Sequence, residues 1–153
     1  MMLNTKNIRN IFLAVAAVVF AVAGFTGCGH DSTGTEEELK SVILKHMETT
    51  QNEDIEGALK DLDLPQEKLD RNRQVMKEMF EMYDLEYTMV GFKVLKCEGD
   101  SAVVEVVMDT KKVSGPEFKD NRSKLVYGMK KESGRWRIIG SKMIEANYLE
   151  TGK

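Results

Sequence analysis

Cysteine, proline, histidine and tryptophan are all scarce in this chain. Its 153 residues include two Cys, two Pro, two His and one Trp. Cys28 lies at the end of the N-terminal apolar run, so Cys97 has no partner and a disulfide framework is excluded. Neither Cys-x-x-Cys nor His-Glu-x-x-His occurs, and no glycine-rich phosphate loop follows a strand, so no metal and no cofactor is expected. A surplus of positive charge is also missing. The net charge is −3, and the only charges in residues 1–27 are Lys6 and Arg9, so the remainder is more acidic still. Binding to a phosphate backbone needs clustered Lys and Arg, and nucleic acid is not an expected partner. Lys119, Arg122, Lys124, Lys130, Lys131, Arg135 and Arg137 are close in sequence but interleaved with acids and apolar residues, which reads as a solvated strand face.

What is present begins with a leader. Residues 1–10 are short and basic, and Ile11 to Phe25 is an uncharged run of apolar or small residues. Fifteen residues in a helix cover roughly 22 Å, short of the ~30 Å hydrocarbon core. The run therefore fits a secretory signal peptide, residues 1–27. Phe25-Thr26-Gly27-Cys28 resembles a bacterial lipobox, with Phe25 where the motif usually has Leu. The resemblance implies diacylglycerol on Cys28 and an extracytoplasmic lipoprotein held at the membrane. Residues 28–35 form the lipidated Cys and a polar, breaker-rich tether that includes His30 and Asp31.

One folded domain is expected over residues 36–150, long enough to bury a core without staples. Its first half reads as helix. Thr35 with Glu36, Glu37 and Glu38 suggests a capping box, and Leu39, Val42, Ile43 and Met47 follow helical spacing. A second helix runs from Asp54 towards Leu62 and stops before Pro65; a third fits Gln66 to Tyr83. His46 sits on a polar flank and reads as solvated.

From Leu85 the periodicity becomes two. Strands are expected at Leu85–Cys97, Ser101–Thr110, Arg122–Glu132 and Arg135 to about Ile144. The apolar phase of the first strand shifts at Gly91, as at a bulge. Ala102, Val104, Val106 and Met108 share one face of the second, with Glu105 and Asp109 on the other. Lys111 to Asn121, with Gly115-Pro116, reads as a longer connection, and Ser133-Gly134 as a tight turn. Four strands in series make an antiparallel meander. Cys97, near a strand end, reads as a small buried hydrophobe.

Helices followed by a bent sheet, ending in the hairpin Leu125-Val126-Tyr127-Gly128-Met129-Lys130-Lys131-Glu132-Ser133-Gly134-Arg135-Trp136-Arg137-Ile138, resemble the nuclear transport factor 2-like superfamily. Asn52 to Leu59 is similar too. The resemblance implies an α+β cone, with N-terminal helices in the concave face of a strongly curved four-stranded antiparallel sheet. A cystatin-like single helix on a sheet is the alternative. It also implies a pocket between sheet and helices. Some members place an Asp or His base there, as isomerases or dehydratases, and many only bind.

Matching catalytic residues are absent from the apolar strand face, so a non-catalytic binding or interaction domain is expected. The candidate pocket is lined by Phe80, Tyr83, Val104, Val106, Met108, Leu125, Tyr127, Met129, Trp136 and Ile138, and suits an apolar small molecule or a protein partner. A homodimer or envelope scaffold through the outer face, using Val103, Val107, Ile139 and Met143, is the second expectation. A lyase or isomerase using Glu105 or Asp109 is the third.

The leader generates one direct test. Membrane-extracted protein is expected to begin at Cys28 and to exceed its polypeptide mass by a diacylglyceryl group. Cys28→Ala should abolish that increment in intact-mass spectrometry, and an unmodified wild-type mass would exclude the anchor.

Overall fold

The computed structural model describes residues 32–150. The leader, Cys28 and the start of the tether lie outside the described residues. Three helices precede four strands: α1 (Ser32–Gln51), α2 (Ile55–Lys60), α3 (Gln66–Met82), β1 (Asp84–Glu98), β2 (Ser101–Ser114), β3 (Asn121–Glu132) and β4 (Arg135–Tyr148). The strands pair antiparallel in the order β1-β2-β3-β4. Three helices before a curved meander match the expected architecture.

Helix α1 is held by its stripe. Leu39, Ile43 and Met47 recur every four residues and are buried, meeting Val104, Met129, Trp136 and Ile138 of the sheet in one core. Each fully buried aliphatic side chain contributes ~1.5–3 kcal/mol, so this stripe dominates the helix's stability. The helix begins at Ser32, so residues 32–35 belong to it and not to a tether. Glu38 is consequently past the first turn and caps nothing. Its carboxylate instead accepts from Lys131 Nζ at 3.0 Å and Trp136 Nε1 at 3.1 Å.

Helix α2 starts where Asp54 accepts a hydrogen bond from the Gly57 amide at 2.9 Å, and buries Ala58 and Leu59. The chain after it is clipped to the sheet edge. Ile138 N–H donates to Asp61 O at 2.9 Å, and Asp63 N–H donates to Ile138 O at 2.7 Å. Pro65 caps α3, as its fixed φ allows. No residue of α3 is fully buried; Leu69 and Met76 only flank the core.

The sheet's inner face carries Ala102, Val104 and Val106 of β2 opposite Met129, Tyr127 and Leu125 of β3. Strand β2 runs on through Lys111–Ser114, which the sequence assigns to a connection. There it pairs with Asp84–Glu86, beyond the apolar core, so backbone hydrogen bonds hold it without alternating hydrophobes. Both outer strands are irregular. Val90 and Leu95 are extra residues in β1, and Ile139 and Ile144 are extra in β4. The β4 bulges change its phase, so Met143, expected on the outer face, lies opposite Leu125 and shares its inner face. Cys97, expected to be buried, is exposed because the end of β1 past Leu95 runs beyond the core.

His46 also departs from expectation. Its ring is packed between α1 and α2, and Nδ1–H donates to Ala58 O at 3.1 Å. Burial lowers its pKa from the usual 6.5, against the opposing pull of the Asp61 carboxylate. The unfolded chain therefore takes up a proton that the folded state resists.

Two predictions follow from these local geometries. Stability in urea is expected to fall as pH drops below about 6.5, with a shallower fall in His46→Asn, which keeps a donor for Ala58. Equal slopes would remove His46 as the cause. Gly115 has φ +113°, and a Cβ there would lie 2.5 Å from Met82 O; Gly99 has φ +55° and open surroundings. Gly115→Ala should cost on the order of 3 kcal/mol and Gly99→Ala about 1 kcal/mol, both read from denaturation midpoints.

Candidate interaction groove

The ten residues expected to line an apolar pocket do not share one environment. Val104, Val106, Tyr127, Met129, Trp136 and Ile138 are buried in a core with Leu39, Ile43, Met47 and Leu59. Side chains of α1 and α2 occupy the space these six would have lined. Met108 and Leu125 lie half-buried at the margin of that core. Tyr83 packs on Phe118, with ring centroids 5.8 Å apart. Phe80 and Tyr83 border a crevice of about 10 Å³, room for one water at most. Burial pushes the Tyr87 and Tyr127 phenols up to about 12, so both remain neutral hydroxyls at physiological pH.

An open space lies on the flank of the core. A groove of about 670 Å³ runs between α1, the end of α2 and the β3–β4 hairpin. Ser133 and Gly134, at φ 50° and 78°, turn that hairpin tightly and bring Arg135 and Trp136 to the groove. Trp136 is 6% exposed and donates its indole N–H to Glu38. Lys131 Nζ lies 5.6 Å from the indole centroid and its ammonium holds the Glu38 carboxyl below the usual range. Thus Trp136 is wedged between core and groove, with its polar edge satisfied.

At the far side Arg137 Nη2 donates to Leu62 O at 2.7 Å and to Lys60 O at 3.2 Å. These carbonyls lie at and just beyond the C-terminal end of α2, where a cation is favoured. Asp61 sits deeper. One carboxylate oxygen faces Lys45 Nζ at 3.8 Å, and the other is buried without a hydrogen-bond partner. Sequence reasoning missed Glu38, Asp61 and Arg137 as a set. The available signal was position: Glu38 is one turn from Val42, and Asp61 falls between Leu59 and Leu62.

The two carboxylates weighed for catalysis lie on the outer face, away from the helices. Asp109 accepts from Arg122 Nε at 2.6 Å and Nη2 at 2.9 Å, a bidentate pair. Those bonds hold its carboxyl below the ordinary range. Glu105 pairs in register with Lys93 and Val126. Val103 and Val107 share this face with them, as do Lys124 and Glu145, whose charged ends are 3.9 Å apart. Among the described residues no three His, Cys, Asp or Glu side chains gather as a metal site, and no helix is long and apolar enough to cross a membrane.

Solved structures confirm the architecture. A protein of unknown function with a cystatin-like fold from Nostoc punctiforme aligns with TM-score 0.62 at 13% identity, over 76% of this chain and 93% of that one. An NTF2-like protein of unknown function from Pseudomonas putida gives TM-score 0.62 at 17% identity, over 80% and 94%. A ketosteroid isomerase-like protein from Erwinia carotovora atroseptica gives 0.56 at 14%, over 74% and 98%. At these identities the likeness is one of fold. No curated protein matches the sequence. A family model does, over residues 41–149, from the middle of α1 to just beyond β4. On that match the chain belongs to the family described as the anti-sigma-I factor RsgI9, C-terminal domain.

Proposed function

We propose that this chain is a non-catalytic interaction domain of the anti-sigma-I factor type, held on the extracytoplasmic side of the membrane by lipid on Cys28. The family match over residues 41–149 carries the proposal, because it covers nearly all of the described fold. Geometry supports binding over catalysis. The core beneath the sheet is occupied by helical side chains, Asp109 is tied to Arg122, and an open surface groove of about 670 Å³ lies on the flank. A groove of this kind suits a peptide segment or a protein loop better than an enclosed apolar molecule. A lipid-anchored domain outside the membrane does not reach a cytoplasmic sigma factor, so its influence would pass through a membrane-spanning partner.

The reading is tested in the native host with a reporter under a sigma-I-controlled promoter. Deleting residues 36–150 while keeping the leader and Cys28 is expected to change reporter output at least severalfold. Unchanged output, with the truncated product shown to reach the membrane, would count decisively against a role in this signalling.

A further inference from the structure

We propose that the groove between α1 and the β3–β4 hairpin seats an acidic, extended segment of a partner protein. This deepens the interaction-domain reading and rests on it. The first support is charge. The chain as a whole is acidic, at −3, yet the groove is edged by Lys45, Lys60, Arg135 and Arg137. Its acids are largely taken up. Glu38 is held by Lys131 and Trp136, and the Asp61 side chain is 13% exposed and faces Lys45. Only Glu132 remains to offset three cations, and no carboxylate among the described residues pairs with Lys60, Arg135 or Arg137.

The second support is preorganisation. The guanidinium of Arg137 is anchored through Nη2 by two backbone carbonyls, so its orientation is set before any ligand arrives. Among the described residues its Nε and Nη1 hydrogens have no partner. Those hydrogens lie on separate edges of the fixed group, so each can donate singly to a carboxylate oxygen with little further loss of side-chain entropy. Glu38 to Lys45 form one wall, two turns of helix or about 10 Å long. An extended chain rises about 3.3 Å per residue, so the wall spans three or four residues of a strand-like segment. Trp136 beside it supplies an apolar edge between the charges.

Trp136 is the only tryptophan, so its emission reports occupancy directly. The full-length chain is titrated with a blocked decapeptide of alternating Glu and Val, and with its Lys-for-Glu counterpart. The acidic peptide is expected to shift Trp136 emission saturably and the basic one to leave it unchanged. The double variant Lys60→Glu/Arg135→Glu, altering exposed side chains without structural partners, should weaken binding about tenfold or more. Lys93→Glu on the outer sheet face serves as the charge control and should bind as wild type. The proposal is overturned by no saturable response at millimolar peptide, or by an equal loss in Lys93→Glu. It is also overturned if phosphatidylglycerol vesicles give the groove-dependent response and the peptide does not, since the groove would then face lipid. Such failures leave the reporter result untouched, which separates loss of this proposal from loss of the signalling role.

Discussion

The helices and the sheet are joined along one apolar seam, in which Leu39, Ile43 and Met47 of α1 press into Val104, Met129, Trp136 and Ile138. Shape on both sides follows from filling it. The sheet curves around the helix, and the space beneath it is taken up by packed side chains. Loop 61–63 then takes its place because β4 offers Ile138 as both donor and acceptor at the seam's edge. Helix α3, which has no fully buried residue, covers the assembly's flank and contributes less to it.

Function in this fold depends on what is left over once the seam is packed. Were a hollow left beneath such a sheet, an acid placed inside it would have its pKa moved by burial and could transfer protons. Here the inner sheet face beneath α1 is apolar, and the carboxylates of the strands are turned outward, one of them neutralised by Arg122. Polar chemistry has been displaced to the rim. There Glu38, Trp136, Asp61, Lys45 and Arg137 surround open space in place of a closed cavity, with Lys131 holding Glu38 from behind.

Most of the architecture was legible in the sequence because periodicity registers burial. The switch from a four-residue to a two-residue repeat near Leu85 located the helix–strand boundary within about a residue, and the phase change at Gly91 marked the Val90 bulge. What periodicity does not register is the partner of a polar side chain. His46 looked like a flank residue because the carbonyl it donates to belongs to another helix. Glu38 looked like a local cap because its partners lie more than ninety positions away. Met143 was assigned to the wrong face since each bulge in β4 adds one residue to a count of two. Cys97 kept the composition of a strand while running past the core. The groove was invisible for the same reason: it is made between elements, and no single stretch carries it.

The bulges in the two outer strands bear on how the domain tolerates company. A regular exposed strand offers a neighbour an unbroken row of donors and acceptors. Here β1 is interrupted at Val90 and Leu95, β4 at Ile139 and Ile144, and β4 is further covered near Ile138 by the loop after α2. Neither border offers an unbroken row along its whole length. Copies meeting edge to edge would therefore find the pairing register broken, where a smooth-edged sheet would extend along its whole length.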